Sequence, residues 1–573
     1  MYDTNSRGNR PTIRLMLVDT HEERLVEHIV SERSETPYIA LSYVWGQTPM
    51  LQTSMSNLAD LKAPGALSTQ AVHLPRTVRD AMALVKGIGY KFLWVDALCI
   101  VQDGPNKCKE IEEMNLIYMR ARLTIVAMAG GDANSGLPGV MPGTRTQPAV
   151  VIDGYKLLAK LPSFEVELKR SRHFTRGWTY QEMLLASRCL FVSPYQVHFR
   201  CTKGTASEGR GPEIKSSIFH TVSTLIWPIQ DVDSTRFINA YEDYVKAYTR
   251  RFLTYDNDIL NAFTGVLKEL SLLFASSFHE AIPGADIVRA LLWCPTASPK
   301  RRSSTTKPPT DSTPYFPSWS WIGWKGPITY AVSRIGKATD RTDMQGLLLE
   351  ASLQWKRAGA TGFEKIKTTN TAQGEPKGTS CGFDDCHISL KTDDKDRHTA
   401  PQEVLTVWPN AESQGRAQDS PAELTNLSIL RFRASTVMAG SYYFGECEFR
   451  QVESYDSVET MQFLPIYDVH KRQCGGLYNP AVNGLTLNES QQFSIIAMSA
   501  FRTTNYSAHG LIDDHYGFMY NGGPDRSKCR CLLHIILIKS HGEIAERVAT
   551  GLMHPKAWSN AQPRPEYTLI NLA

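Results

Sequence analysis

The N-terminal third of the chain alternates between short continuous apolar runs and segments in which apolar residues recur every three or four positions. The continuous runs are typical of strands buried on both faces of a parallel sheet. They lie within residues 36–46, 91–103, 122–131 and 188–201. Helical spacing marks the segments between them, at 74–90, 110–121 and 178–187, as in Val78, Ala81, Met82 and Val85.

This order of strands and helices predicts an α/β domain over residues 1–210, with its core at 38–201 and a parallel sheet covered by helices on both faces. In such sheets, ligands bind beyond the carboxyl ends of the strands, where the strand order reverses. The predicted strand ends, together with the start of the helix near residue 178, supply the candidate ligand contacts. These are Ser42, Tyr43, Trp45, Gly46, Asp96, Arg176, Trp178 and Glu182.

The remainder of the chain has a different pattern. Residues 211–297 are expected to be mainly helical, with two helices between 237 and 274. A basic Ser/Thr/Pro stretch at 298–316 predicts a linker. Residues 317–573 contain short runs of β-forming residues separated by turn signals, which predicts a β-rich C-terminal region. Its polar segment near 356–424 is expected to be a loop or disordered.

Composition and charge narrow the classes of partner. The chain has 573 residues and an ordinary globular composition, so two to four domains are expected. A formal net charge of +4 provides no broad basic surface, so nucleic acid is not an expected partner. The N-terminus lacks the apolar stretch of a signal peptide, and no window approaches the ~18 uninterrupted apolar residues of a membrane span. We therefore expect a cytoplasmic protein without a membrane span.

The absence of several sequence motifs excludes the mechanisms that depend on them. The chain lacks the P-loop pattern, the nucleophile elbow of α/β-hydrolases and the H-E-x-x-H zinc motif. Its eleven cysteines show no repeating spacing, and the clusters at 381–387 and 529–531 lack the paired half-sites of a zinc centre. No metal and no cofactor are therefore expected. The glycine-rich segment 129–136 favours a plain loop over a phosphate-binding one.

Carboxylates and their neighbours carry the remaining candidate chemistry. Glu182 lies near the start of an otherwise apolar helix, where the helix dipole favours an acid. It could be a structural cap, an ion-pair partner of Arg176 or a group acting on a ligand, and the local pattern slightly favours a structural role. Asp96, at the end of a buried strand, has the same alternatives. Arg176 and Trp178 could bind an anionic, aromatic ligand or simply pack.

Four blocks in the N-terminal third occur in a characteristic order: "YIALSYVWG", "LPRTVRDAMALVKGIGYKFLWVDALCIVQD", "EIEEMNLIYMRARLTIVAMAGGDANSGLPG" and "RGWTYQEMLLASRCLFVS". They resemble the successive blocks of the fungal heterokaryon incompatibility (HET) domain, from residue 38 to about 201. The later segments "PSWSWIGW" and "EIAERVATGLMHPKAW" also resemble the tails of such proteins. The resemblance implies a filamentous fungus and a role in non-self recognition that ends in programmed cell death.

HET domains are in turn similar to TIR domains, whose fold is a flavodoxin-like parallel sheet. The first TIR strand often ends in "SY" followed by a flexible turn, and Ser42 and Tyr43 match that position. TIR domains that cleave NAD carry a catalytic glutamate in a W-C-x-x-E segment. Trp178 and Glu182 keep this spacing, and Thr179 replaces the cysteine. The resemblance therefore implies that Glu182 is catalytic.

The implied reaction is cleavage of NAD, or a related nucleotide, at the bond between ribose and nicotinamide. Trp178 or Tyr43 would stack on a ring and Arg176 would bind the pyrophosphate, with NAD as a substrate rather than a cofactor. Self-association on activation is expected, and no particular protein partner is indicated. Two alternatives stay open: a non-enzymatic TIR-like signalling and oligomerisation module, and a HET-like fold repurposed as a metabolic enzyme.

Overall fold

The computed structural model describes the chain in ranges separated by gaps. The described residues are 12–31, 36–47, 49–70, 73–145, 147, 149–201, 204–213, 234–297, 299–302, 316–330, 345–346, 353–367, 388–389, 405–406, 427–453, 458–478, 492–502 and 531–573. The predicted linker at 298–316, the polar segment near 356–424 and both cysteine clusters lie wholly or largely outside these residues. The chain divides into two compact units, residues 1–232 with 251–273, and residues 233–250 with 274–573.

Strands and short helices alternate along the first unit. In chain order they are β1 (Ile13–Asp19), β2 (Arg24–Val30), β3 (Tyr38–Ser42), α1 (Leu58–Leu61), α2 (Ala66–Thr69), α3 (Arg76–Gly87), β4 (Phe92–Trp94), α4 (Asp96–Cys99), α5 (Lys107–Glu112), α6 (Met114–Arg120), β5 (Leu123–Ala127), β6 (Ala149–Ile152), β7 (Tyr155–Leu158), α7 (Phe164–Arg170), α8 (Trp178–Leu185), β8 (Arg188–Val192), β9 (Val197–Cys201), β10 (Gly204–Ser207) and β11 (Arg210–Glu213). Two longer helices follow, α9 (Ser234–Thr249) of the second unit and α10 (Asp258–Phe274), which belongs almost entirely to the first.

Nine of the described strands form one mixed sheet in the order β11-β10-β9-β8-β5-β3-β4-β1-β2. The central neighbours β8, β5, β3 and β4 are parallel, and the strands outside them pair antiparallel. When the four parallel strands β3, β4, β5 and β8 are numbered 1 to 4 along the chain, their spatial order is 2-1-3-4. The strand order therefore reverses between β3 and β5. The expectation of a mixed α/β architecture is confirmed, whereas the expectation of a parallel sheet is wrong for the outer strands.

The lengths of the connections explain the antiparallel strands. Residues 20–23 join β1 to β2, and residues 193–196 join β8 to β9. Such short connections form hairpins, because a parallel pair needs a crossover of about a dozen residues or more. The turn before β9 is stabilised by the Ser193 hydroxyl oxygen, which accepts the N–H groups of Tyr195 and Gln196 at 3.2 and 3.0 Å.

Helix α3 shows why the apolar periodicity was informative. It begins immediately after Pro75, whose φ of −59° suits a helix start. Val78, Ala81 and Val85 are fully buried on the face that the spacing predicted. Gly89, with φ of +83°, follows the helix, where a left-handed residue commonly ends one.

The loops that follow β3 and β5 meet at Gly46. This residue has φ of +74°, and a Cβ atom there would lie 2.5 Å from the Asp132 Cβ atom. The Ala133 N–H donates to the Trp45 carbonyl at 3.1 Å and links the two loops. Each N–H group from 132 to 137 donates to a protein acceptor. These six groups are therefore already used, which favours a structural loop over a phosphate-binding one.

The second unit is rich in β-structure, as predicted. Its shorter elements are β12 (Phe278–His279), β13 (Ile282–Pro283), α11 (Ile287–Ala290), β14 (Cys294–Pro295), β15 (Lys300–Arg301), β16 (Trp324–Lys325), β17 (Ile328–Thr329), β18 (Gln345–Gly346), β19 (Gln354–Lys356), β20 (Glu364–Lys365), β21 (Ile388–Ser389) and β22 (Leu405–Thr406). The longer strands are β23 (Ile429–Met438), β25 (Glu448–Glu453), β26 (Val458–Tyr467), β27 (Gln473–Tyr478), β28 (Phe493–Arg502), β29 (Cys531–His541), β30 (Ile544–Met553) and β31 (Glu566–Leu572), with β24 (Tyr443–Phe444) and α12 (Pro555–Ser559) between them. Twelve of these strands form one sheet with the central order β23-β28-β29-β30-β27-β26.

The aromatic segment "PSWSWIGW" is part of the packed interior of this second unit. Trp319, Trp321 and Trp324 are buried. Their indole N–H groups donate to the Ser428 carbonyl, the Tyr241 hydroxyl and the Ser318 carbonyl, respectively. Buried tryptophans need such partners, and all three have them. The segment is therefore an aromatic corner rather than an open ligand platform.

Replacing Gly46 by Ala should destabilise the first unit more than the same change at Gly89. Both positions have a positive φ, so either alanine incurs a conformational penalty of about 1–2 kcal/mol. Only at position 46 would the new Cβ also collide with Asp132, since nothing lies within 4 Å of a Cβ at position 89. Thermal unfolding of the two variants beside wild type tests this. Equal losses would show that the close approach of the two loops adds nothing.

Candidate functional site

Helix α8 brings Glu182 to the carboxyl end of β3. Ser42 is the last residue of that strand, and its hydroxyl oxygen lies 2.5 Å from Glu182 Oε2. Ser42 is fully buried and Glu182 is 5% exposed. Because the strand order reverses between β3 and β5, the carboxylate lies where α/β sheets usually bind ligands.

Helix α8 is fixed at both ends. At its start, the Gly177 N–H donates to the Phe252 carbonyl at 2.8 Å. At its end, the buried Arg200 guanidinium donates to the carbonyls of Met183 and Ala186 at 2.8 and 2.9 Å. These bonds satisfy backbone groups that a helix end otherwise leaves unpaired. The position of Glu182 is therefore determined by the fold and not by its own contacts alone.

A hydrogen-bonded chain connects His173, Ser42 and Glu182. The Ser42 hydroxyl oxygen lies 2.6 Å from His173 Nε2 as well as 2.5 Å from Glu182 Oε2. His173 Nδ1 is buried and has no hydrogen-bond partner within the described part of the chain. A proton on Nδ1 would be an unsatisfied buried donor, so the proton belongs on Nε2. His173 therefore donates to Ser42, and Ser42 donates its single proton to the Glu182 carboxylate.

His173 stays neutral in this chain. Burial first, and then the positive charges of Arg251 and Arg176, lower the pKa of its imidazole to about 3. A neutral imidazole with its proton on Nε2 donates to one side only. The chain therefore has one direction of donation, toward Glu182.

Burial raises the pKa of Glu182 from its ordinary 4.5 to about 7. The charge of Asp96 raises it as well, while hydrogen bonds from Ser42 and Tyr118 and the charge of Arg176 lower it. Removal from water disfavours the ionised form, and the donors only partly compensate. Glu182 consequently changes charge near neutral pH, which is unusual for a glutamate.

Asp96 is the second acid of the site and begins α4. Its Oδ2 accepts the Trp45 indole N–H at 2.8 Å, and its Oδ1 accepts the Ala97 N–H at 2.7 Å. Tyr43 is buried and also forms a hydrogen bond with Asp96. Burial raises the pKa of Asp96 to about 6 despite these bonds and the nearby charge of Arg176. Asp96 and Trp45 are half-buried, so this side of the site reaches solvent.

Arg176 is a half-buried cation with unused donors. Its positive charge lowers the pKa of Asp96 and of Glu182, so it lies close to both. Within the described residues, however, no hydrogen bond or ion pair engages its guanidinium group. Arginine presents a fork of N–H groups that suits phosphate and carboxylate oxygens. This arrangement leaves the guanidinium available to an anionic ligand.

The structure thus brings six of the eight predicted residues into one group, and Trp45 belongs to it through its hydrogen bond to Asp96. The six are Ser42, Tyr43, Trp45, Asp96, Arg176 and Glu182. The other two stand apart from it. The Trp178 indole donates to Asp258 Oδ2 at 3.1 Å, which ties the half-buried ring to α10. Gly46 faces Asp132 in the neighbouring loop and shapes the backbone there.

Sequence reasoning missed His173 and Tyr118. Tyr118 lies on the buried face of α6, within the apolar run "NLIYM", where a tyrosine suggests packing. His173 lies three positions before the quoted block that begins "RGWTYQE", but a lone histidine has no distinguishing spacing. The only signal for these two residues was general: a buried hydroxyl or imidazole group needs a hydrogen-bond partner.

A hydrolytic Ser–His–acid triad does not describe this group. In such a triad the histidine lies between the serine and the acid and takes the serine proton. Here the serine lies between His173 and Glu182, and His173 donates to it. Ser42 is also fully buried. The arrangement supports a carboxylate held in place, and not an activated serine nucleophile.

Two further observations concern the described residues alone. They include no group of three or more His, Cys, Asp or Glu side chains placed to hold a metal ion. None of their helices has the length and apolar content needed to span a bilayer.

Glu182→Gln should become increasingly favourable to stability as the pH rises. The folded protein binds the Glu182 proton more tightly than the unfolded chain does, because the pKa is raised to about 7. The penalty for ionising Glu182 therefore grows between about pH 4.5 and pH 7, to about 3 kcal/mol at most, and glutamine avoids it. Thermal unfolding of both proteins from pH 5 to pH 8 measures the difference, with exposed Glu112→Gln as control. A difference that is constant with pH would contradict the raised pKa.

One comparison with known proteins gives a match. Residues 38–182 match the family model described as heterokaryon incompatibility protein (HET). No curated protein and no solved structure matches the chain. The matched segment begins at the first residue of β3 and ends at Glu182, so this part of the chain, which holds the hydrogen-bonded site, is similar to HET proteins.

Proposed function

We propose that this chain is an effector of heterokaryon incompatibility whose first unit hydrolyses NAD, or a related nucleotide, between ribose and nicotinamide, and so promotes programmed cell death. The family match at residues 38–182 indicates the incompatibility-related function. One observation carries the enzymatic part. A carboxylate with a pKa of about 7 lies at the reversal of the strand order, beside a cation with unused donors.

The topology supports the TIR-like part of the proposal. The parallel strands have the order 2-1-3-4, which is the order of the first four strands in a flavodoxin-like sheet. Flavodoxin-like sheets bind their ligand between the first and third strands, which correspond to β3 and β5 here. Ser42 ends β3, and Glu182 contacts Ser42. A fold alone hosts many activities, so the chemistry must be argued from the residues.

The reaction needs little proton transfer at the leaving group. The C–N bond to the ribose breaks, and nicotinamide keeps the electron pair and leaves as a neutral base. The positive charge passes to the ribose, giving an oxocarbenium-like transition state. An ionised Glu182 would stabilise this charge, and water would then add to the anomeric carbon and release a proton. The products are nicotinamide, ADP-ribose and one proton.

The neighbouring residues have roles that suit this substrate. Arg176 would bind the pyrophosphate through its guanidinium fork. Tyr43 is buried, so stacking on a base or on nicotinamide would fall to the half-buried ring of Trp178, although its indole is bonded to Asp258 outside the hydrogen-bonded group. His173 and Ser42 would act as positioning residues, because they hold the carboxylate and donate toward it. Asp96 would keep the local charge negative, opposite the developing cation.

A specific observation also favours a second function, that of a non-enzymatic signalling module. Glu182 is 5% exposed and already accepts a hydrogen bond from Ser42, and the Tyr118 hydroxyl lowers its pKa as well. A carboxylate satisfied in this way can be a structural group that orders α8 against β3. In that case the first unit would act through binding alone, and the unused donors of Arg176 would serve a non-reacting anionic partner.

Glu182→Gln should reduce NAD hydrolysis by the full chain at least about a hundredfold. Glutamine keeps the hydrogen bond from Ser42 but cannot offset a cationic transition state. The rate is measured at high protein concentration as the release of nicotinamide, which is quantified by chromatography. Glu112→Gln is the control, because it makes the same change on an exposed side chain. The wild-type rate should rise with pH through about 7, since the ionised form is the active one. If wild type releases no nicotinamide, the signalling alternative stands; if the variant is fully active, Glu182 is not catalytic.

Arg176→Gln should raise the KM for NAD about tenfold or more while changing the turnover of nicotinamide riboside little. NAD carries the pyrophosphate that Arg176 would bind, and the riboside lacks it. Arg176→Lys should recover part of the affinity, because it retains the charge but loses the fork. Steady-state kinetics on both substrates provides the comparison. Equal effects on the two substrates would show that Arg176 does not act by binding the pyrophosphate.

A further inference from the structure

A short segment of the first unit, residues 251–253, lies beside the start of α8. The Phe252 N–H donates to the Thr175 carbonyl at 2.7 Å, and the Gly177 N–H donates to the Phe252 carbonyl at 2.8 Å. These two bonds pair Phe252 with Arg176 as a parallel β-bridge. Backbones paired in this way lie about 4.8 Å apart, and side chains in register point to the same side. The Phe252 ring is therefore the neighbour of the Arg176 side chain.

The residues on either side of Phe252 fasten the segment to the unit. The Arg251 guanidinium donates to the Phe174 carbonyl at 2.5 Å and lies 4.2 Å from the centre of the Phe174 ring. Leu253 packs so closely on Gly177 that a Cβ atom there would lie 2.4 Å from Leu253 Cδ2. The Phe252 side chain, by contrast, is 75% exposed. The segment thus holds an aromatic ring in solvent on a fixed backbone.

The position of Phe252 distinguishes it from other exposed apolar residues. A single exposed phenylalanine is ordinary on a protein surface. Here, however, the bridge partner is Arg176, whose guanidinium forms no hydrogen bond or ion pair within the described residues. The charge of Arg176 also lowers the pKa of Glu182. A buried carboxylate, a half-buried cation and an exposed ring therefore follow one another from the interior to the surface.

A dinucleotide such as NAD has three parts that suit this order. Its nicotinamide ribose is followed by the pyrophosphate and then by a second nucleoside. In the proposed reaction the ribose lies at Glu182 and the pyrophosphate at Arg176, so the second nucleoside extends past Arg176 toward solvent. An aromatic ring at that place offers a flat face to a base. Such stacking typically accounts for about a fivefold to a hundredfold gain in affinity.

We propose that Phe252 forms a base-binding subsite, in which its ring stacks on the second nucleobase of the dinucleotide that Arg176 binds. The identity of this ligand rests on the proposed function. The subsite would select dinucleotides over nicotinamide mononucleotide and nicotinamide riboside, which lack the second base. Stacking tolerates any base, so the ring recognises that a base is present and not which base it is. Phe252 lies outside the segment 38–182 that matches the HET family model.

Calorimetry of the full chain with ADP and with inorganic pyrophosphate tests the subsite without requiring catalysis. Both ligands carry two linked phosphates, but only ADP carries a base. Phe252→Ala should weaken ADP binding about tenfold and change pyrophosphate binding about twofold at most. Alanine keeps the N–H and C=O groups that pair with Thr175 and Gly177, so thermal unfolding should match that of wild type.

Two further substitutions separate stacking from general apolar contact. Phe252→Trp should bind ADP at least as tightly as wild type, because it offers a larger ring. Phe252→Leu should lose most of the affinity for ADP, although its side chain stays apolar. Phe449→Ala is the matched control, since it makes the same change at a phenylalanine of the second unit that is 73% exposed. It should change neither dissociation constant more than about twofold.

Kinetics shows separately whether the subsite serves the reaction. Phe252→Ala should raise the KM for NAD about tenfold and leave kcat nearly unchanged, because the ring does not touch the reacting atoms. A wild-type chain that binds ADP through Phe252 but releases no nicotinamide would support the subsite and contradict NAD hydrolysis. Hydrolysis with an unchanged KM in Phe252→Ala would contradict the subsite and leave the proposed reaction standing.

Three binding results would overturn the proposal. One is a wild-type chain that binds no ADP at millimolar concentration. Another is an ADP affinity that Phe252→Ala leaves unchanged. The third is equal weakening of ADP and pyrophosphate binding in Phe252→Ala, because the ring would then act on Arg176 and not on a base.

Discussion

The removal of the Glu182 carboxylate from water is the constraint on which the site depends. An isolated carboxylate in such a position would take up a proton at neutral pH, because nothing would offset its lost hydration. Donors from Ser42 and Tyr118 and the charge of Arg176 offset part of that loss and hold the pKa near 7. The last residue of β3, a residue of α6 and the segment before α8 each supply one of these groups. The environment of the Glu182 side chain therefore depends both on the strand order and on the packing of α6 and α8.

Burial raises the pKa of both acids of the site. Asp96 has a backbone N–H and an indole N–H as partners and a pKa of about 6, whereas Glu182 has a pKa of about 7. The charge of Asp96 also raises the pKa of Glu182. An anion bound by Arg176 would remove the positive charge that now lowers this pKa. Ligand binding and the protonation of Glu182 are thus linked through a single guanidinium group.

The sequence permitted good predictions wherever burial alone leaves a pattern. Continuous apolar runs located β3, β4, β5 and β8, because a strand between two helical layers has no solvent-facing side. Spacing located α3 through Val78, Ala81 and Val85. The pattern did not reveal that β1, β2 and β9 pair antiparallel, since pairing depends on connection lengths and not on hydrophobicity.

Within the site, Glu182, Asp96 and Arg176 were recognisable as charges beside apolar runs. His173 was not, because its role is defined by a proton that it can donate in only one direction. That property arises because no described residue offers Nδ1 a hydrogen-bond partner, which is a matter of three-dimensional packing. The structure also separated residues that the sequence had grouped together. Gly46 shapes a loop and Trp178 is tied to α10, although both lie next to site residues in the chain.

A single crossover between β5 and β8 carries the residues that surround Glu182. Between the end of β5 and the start of β8, the chain forms the glycine-rich loop, the hairpin of β6 and β7, α7, His173, Arg176 and α8. The hairpin itself shares no strand pairing with the main sheet. Residues 159–177 join the hairpin to α8, include α7 and lead directly to the helix that carries Glu182. His173 and Arg176 lie at the far end of this segment and both act on Glu182, one through Ser42 and the other through its charge. A shift of the segment would alter the donation to the carboxylate and its pKa together, without any movement of the buried strands.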